Sequence, residues 1–225
     1  MTKIDLTCEG IVSFDHILIK KLPQDTEELE LCGNQIVSFE GCENLPRGLK
    51  KLDIQLNLIS SFEWCKDLPP YLEIMYLSKN KISSFEGSEN LPKTLERLYI
   101  WGNKINSFEF CQGLPPLKEL CLGFNQINSF KHSNKLPNFE KLYLWDNKIN
   151  TLEFYDMLPT LNGVDVSFNP FGIYGTGVLQ HHRYFSYCLN EIKHNPRLER
   201  MKTELEEEER QIKENPELFY STILV

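Results

Sequence analysis

Five histidines and seven cysteines are the residues of this sequence best suited to chemistry. Together they could supply a general base, a thiolate nucleophile or the ligands of a metal ion. Their spacing assembles none of these. His16, His132, His181, His182 and His194 fall on loops or near the C-terminus, without a nucleophile or metal-ligand spacing around them. Cys8, Cys32, Cys42, Cys65, Cys111, Cys121 and Cys188 contain no CxxC pair, and an odd number of scattered cysteines points to free thiols in a reducing compartment. No glycine-rich loop follows a strand and opens a helix, as phosphate binding would require. What remains is aromatic. Tyr99-Ile100-Trp101-Gly102-Asn103 and Tyr143-Leu144-Trp145-Asp146-Asn147 write one word twice. If these are strands, alternation puts the aliphatic residue on one face and the Tyr and Trp together on the other, which is the chemistry of recognition rather than of reaction.

The formal net charge of -8 argues against a general phosphate-binding surface, so nucleic acid is not an expected partner. No charged leader followed by an apolar stretch opens the chain, and no run of about 18 apolar residues occurs. The expectation is a soluble protein without a membrane partner, intracellular in the cytoplasm or nucleus.

The elements that must position the aromatic words follow from a period. Asn34, Asn57, Asn80, Asn103, Asn125, Asn147 and Asn169 stand 23, 23, 23, 22, 22 and 22 residues apart. A Leu-Pro pair keeps the same beat from Leu22-Pro23 to Leu158-Pro159. Two aliphatics precede each Asn at fixed offsets, as in Leu98 and Ile100; an Ile follows two residues later, and three further on stands Phe39, Phe62, Phe85, Phe108, Phe130 or, once, Leu152. About eight units cover roughly Met1 to Phe171, some three quarters of the chain, if the opening segment counts as a first unit with Glu9 in place of the Asn. Each unit supplies a short strand to a parallel sheet and shares its core with the next, so no unit is stable alone. The Asn column is structural: at the exit from each strand its amide can satisfy unpaired backbone groups. Cys42, Cys65 and Cys111 stand where Ser88 and Ser133 stand in other units, a position requiring a small, semi-buried side chain.

This LxxLxLxxNxL pattern resembles the leucine-rich repeat proteins, and within them the class with units of about 22 residues. The resemblance implies an α/β fold, a right-handed β-α solenoid over residues 1–172 with a parallel concave sheet and 3-10 or irregular convex segments. A C-terminal helical cap and tail over 173–225 would close it, with Val178, Leu179, Phe185, Cys188, Leu189 and Ile192 at helical spacing. An acidic helix from Arg197 to Lys213 and an apolar end, Leu218 to Val225, follow; that tail offers a route to oligomers. The resemblance implies neither an enzyme nor a cofactor.

In the repeat frame the residues before, between and after the two strand aliphatics face the concave surface. Tyr76, Tyr99, Trp101, Tyr143 and Trp145 therefore gather at its middle, with Phe124 at the rim, Arg97 and Lys141 alongside, and a dip expected at Cys121 and Gly123. These are the candidate contacts for a protein or peptide partner. The alternative is a structural or regulatory subunit, like the phosphatase-regulating and spliceosomal members of the class, assembled partly through its C-terminal helix.

Overall fold

The computed structural model describes residues 2–129, 140–149, 163–166, 168–170 and 186–187. Its frame is one sheet whose strands follow each other in chain order: β1 (Thr2–Asp5), β2 (Thr26–Glu30), β3 (Lys51–Asp53), β4 (Ile74–Tyr76), β5 (Arg97–Tyr99), β6 (Glu119–Cys121), β7 (Lys141–Tyr143), β8 (Gly163–Asp165) and β9 (Ser186–Tyr187). β1 through β8 pair in parallel, with Leu29, Leu52, Met75, Leu98, Leu120, Leu142 and Val164 in register. The sequence columns are thus the rungs of the solenoid.

The core forms because each unit points its aliphatics the same way. Leu29, Leu31, Ile36 and Phe39, and their described equivalents in the following units, are buried in one continuous cluster. On the far side of that core Phe14, Phe39 and Phe62 stack at 6.4 and 6.5 Å, and Phe85 and Phe108 at 6.3 Å. On the sheet face Tyr76 and Tyr99 stack at 4.8 Å, the spacing of hydrogen-bonded strands. The units splay on the phenylalanine side, which makes the sheet face concave.

Every described Asn of the column makes the same three bonds. In Asn103, Oδ1 accepts the Ile82 N–H at 2.9 Å, and Nδ2 donates to Leu77 O and Ile100 O, both at 3.0 Å. Ile82 and Leu77 belong to the preceding unit, so the amide fastens one unit to the next. The residue before each Asn takes a left-handed backbone to aim the amide inward; Gly102 does so at φ 69°, but Lys79, Phe124 and Asp146 do so as well, at φ 56°, 49° and 52°. A second left-handed residue precedes each 3-10 turn (Cys42–Asn44, Cys65–Asp67, Ser88–Asn90 and Cys111–Gly113): Gly41, Trp64, Gly87 and Phe110.

The Cys and Ser of those turns are fully buried rather than semi-buried. The Cys42 and Cys65 thiols donate to Trp64 O and Gly87 O of the next unit at 3.4 and 3.5 Å, and Ser88 offers a small hydroxyl in the same place without a partner.

Between Phe14 and Leu22 the first unit winds a one-turn helix, α1 (Ile17–Lys20), which buries Ile19 and is capped by His16, whose Nδ1 accepts the Leu18 N–H. One detail differs from the sequence expectation. Ser186 and Tyr187 fall inside the expected terminal helix, yet they form β9, antiparallel to β8. The physical reason is the sheet edge: β8 would otherwise leave its outer N–H and C=O groups unpaired. The rest of the expected cap and tail, with Phe130 and Leu152, lies outside the described residues.

Replacing Asn103 with Ala orphans the buried Ile82 N–H, worth about 1–3 kcal/mol when unmet, and removes one of two asparagine donors from Leu77 O and Ile100 O, which keep Asn80 and Asn125. Thermal unfolding of Asn103→Ala is expected to start well below that of the native chain; an unchanged melt would show that the ladder holds nothing.

Candidate functional site

The sheet's concave face carries the aromatic words because β5 and β7 turn their outward positions to water. Tyr76, Tyr99, Trp101, Tyr143 and Trp145 are each half-buried, while Phe124, Arg97 and Lys141 are exposed. Trp101, Phe124 and Trp145 converge into a three-ring cluster, with centroids 6.5 Å (Trp101 to Phe124), 6.3 Å (Trp101 to Trp145) and 4.5 Å (Phe124 to Trp145, edge to face). Tyr76 and Tyr99 form a separate stack beside it. Tyr143 stands in register between Cys121 and Asp165.

The dip expected at Cys121 and Gly123 is filled. The Trp145 indole lies on the bare Gly123 backbone so closely that a Cβ there would come within 2.2–2.6 Å of three ring carbons. Cys121 is buried, which pushes its thiol up to about 11 against the weaker pull of hydrogen bonds from the Gly123 backbone and Trp145. Burial first, then the charge of Glu119 and a hydrogen bond to it, raise the Tyr99 phenol well above its ordinary range. Both shifts favour the protonated, neutral form.

The other reactive side chains lead to the same place. Burial lifts the Cys42 and Cys65 thiols to about 12 and Cys111 to about 11, far from the thiolate form that attacks. His16 caps α1, and His132, His181, His182 and His194 lie outside the described residues. No group of three or more His, Cys, Asp or Glu is placed to hold a metal ion among the described residues.

One contact escapes the column analysis. Lys79 belongs to the left-handed position before Asn80, and its ammonium lies 4.9 Å from the centre of the Trp101 ring; Lys51 sits 5.5 Å from that of Tyr76. The signal was present in the run Lys79-Asn80-Lys81 at a strand exit, beside the strand carrying Trp101.

No protein-family model matches the sequence, and a search of curated proteins finds no match. Solved structures do. Internalin C2 of Listeria monocytogenes str. 4b F2365 superposes with a TM-score of 0.63 at 22% identity, over 84% of this chain and 78% of its own. The APL1 leucine-rich repeat domain and the LRIM1/APL1C complex each superpose at 0.52 and 25% identity over 75% of this chain. The protein is a leucine-rich repeat solenoid. It spans 40% and 28% of the two latter chains, so their likeness concerns the repeat array.

Two outcomes follow for the solenoid. Gly123 does not have a positive φ, so Gly123→Ala is tolerated by the backbone but evicts the Trp145 ring. Tryptophan emission is expected to shift to the red with the fold intact; an unchanged spectrum would mean that the indole does not lie there. With Cys188 replaced by Ser, thiol labelling near pH 8 should reach exposed Cys8 promptly and Cys42, Cys65, Cys111 and Cys121 only on unfolding. Mass spectrometry of the labelled chain checks the order, and early labelling of Cys42 would contradict it.

Proposed function

We propose that the protein is a non-catalytic interaction module that takes a protein or peptide on its concave face. Tyr76, Tyr99, Trp101, Phe124, Tyr143 and Trp145 form the contact surface, with Arg97 and Lys141 at its border. The observation that carries this reading is the convergence of Trp101, Phe124 and Trp145 on the water-facing side of the sheet, with Phe124 50% exposed. Half-covered Trp and Tyr beside Arg make up the composition of an interface hot spot, and a contiguous apolar patch on a soluble surface usually has a use.

The competing explanation is that the rings merely stabilise the sheet by packing across neighbouring strands. It accounts for the Tyr76–Tyr99 stack. It does not account for Phe124, which lies past the end of β6, meets the Trp145 ring edge to face and leaves half its surface in water. One of the similar structures is itself a complex, LRIM1/APL1C, which is consistent with a protein partner. The six described cysteines are all free thiols, in keeping with an intracellular location.

Trp101→Ala and Trp145→Ala separate the two explanations. If the rings serve binding, both variants melt close to the native chain while affinity for a partner recovered by proximity labelling falls about thirty-fold to a thousand-fold, the usual loss of about 2–4 kcal/mol for a central Trp. Early melting of both would make them scaffold. Normal melting with native affinity would move the interface off the concave face.

A further inference from the structure

The basic residues on the sheet and at its strand ends fall into two groups. Lys3, Lys50, Lys51 and Lys118 are held by Glu30, Glu27, Glu28 and Glu96 at 2.6–3.5 Å. Lys79, Lys81, Arg97, Lys104, Lys141 and Lys148 are exposed and make no ion pair with a described residue. This second group is not scattered. Arg97 and Lys141 open the two strands that carry the aromatic words, and the four lysines flank Asn80, Asn103 and Asn147 at the strand exits. Unpaired cations thus border the ring cluster at both ends of its strands.

Four further exposed cations without an ion pair among the described residues, Lys21, Arg47, Lys66 and Lys93, lie off the sheet, near the Leu-Pro pairs and 3-10 turns, whereas the rest of the sheet face is acidic. Asp5, Glu28, Glu30 and Asp53 occupy the concave face of β1 to β3. On the far side an exposed carboxylate follows each stacked phenylalanine, at Asp15, Glu40, Glu63, Glu86 and Glu109, and of these only Asp15 has an ion-pair partner among the described residues, Lys20. A chain of net charge -8 therefore has a cationic window around Trp101, Phe124 and Trp145. On the concave face such a field draws an anionic segment toward the window and away from the carboxylates of β1 to β3.

The contact between Lys79 and Trp101 shows how the window would open. The ammonium on the ring face is a weak hold at an exposed site, and a carboxylate is a stronger partner for it. Resting on the concave-face reading above, we infer that the occupant is an acidic peptide segment with an aromatic anchor. Its carboxylates engage Lys79, Arg97 and Lys141, Lys79 leaves the indole, and the anchor takes the uncovered face of Trp101 against Phe124 and Trp145. A peptide is favoured over a nucleic acid because Glu119 and Asp146 interrupt the window and β1 to β3 extend it with carboxylates. Separate side chains can step around those charges, whereas a continuous phosphate backbone meets them.

The test uses Trp64→Phe, which leaves Trp101 and Trp145 as the only indoles, and follows their emission during titration with defined polymers. The probes are a Glu/Tyr copolymer, poly-Glu, a Lys/Tyr copolymer and oligo-dT. The Glu/Tyr copolymer is expected to change the emission and to bind about ten-fold or more tightly than poly-Glu. Its affinity should fall as salt rises from about 0.05 to 0.5 M. The combined variant Lys79→Glu, Arg97→Glu, Lys141→Glu should weaken it about ten-fold or more with an unchanged melt; the matching Gln variant serves if the Glu variant melts early.

Equal binding of the Lys/Tyr copolymer overturns the inference. So does native affinity in the charge variants; if Trp101→Ala still abolishes binding, the concave-face reading survives. Loss through the charge variants with no effect of Trp101→Ala or Trp145→Ala would mean bare polyanion adsorption, and both readings fail. Tighter binding of oligo-dT through the same residues would replace the peptide by a nucleic acid.

Discussion

Seven asparagines hold this molecule in register. Each accepts an N–H from the preceding unit at 2.9–3.0 Å and donates to a strand-end carbonyl of that unit and of its own. The bond set runs in one direction, because every Asn completes the unit before it. Glu9, at the Asn position of the first described unit, is exposed, unlike the buried asparagines that follow it. The direction requires an Asn as late as Asn169, whose Oδ1 accepts the Ile149 N–H. An apolar side chain of similar size would fill the space and leave a buried N–H of the preceding unit unmet, while the strand-end carbonyls, shared by successive asparagines, lose one of two donors; the cost grows with every repeat so changed.

Once the ladder fixes the units, the remaining positions divide by direction. Inward columns have no latitude: the aliphatics and stacked phenylalanines are fully buried, and the thiol of Cys42 or Cys65 supplies one more bond between units. Outward columns bear no such demand, so their residues vary freely from unit to unit. The run from Asp5, Glu30 and Asp53 to Tyr76, Tyr99 and Tyr143 in one column is a change of chemistry along a constant frame. Function can be written there without disturbing the fold.

This division also decides what could be read in the sequence. The period, the strands, the core columns and the gathering of aromatics at the concave middle are consequences of offsets within a unit, and offsets are visible in one dimension. The filled dip at Gly123, the Lys79 ammonium on Trp101 and the strand at Ser186–Tyr187 are not. Each depends on what a neighbouring unit does with a bare backbone, an exposed ring or an open sheet edge. A rotamer choice across units leaves no mark in the spacing. Gly123 comes nearest to an exception, since a glycine without a positive φ inside a column otherwise filled by side chains signals that something larger lies on top of it.

The far side of the solenoid offers a rival to the concave face, and geometry separates them. Trp64, Tyr71 and Phe110 are 53%, 62% and 40% exposed, and Trp64 and Phe110 accept a left-handed backbone where Gly41 and Gly87 take it without strain. Yet Gly87 lies between the units of Trp64 and Phe110, and none of the three has a ring partner among the described residues. Exposed aromatics spread singly are ordinary on a protein surface. Trp101, Phe124 and Trp145 differ because Gly123 lets one indole sink between its neighbours, so that three rings present one continuous surface. Binding energy comes from what a partner can bury at once, which favours convergence over exposure.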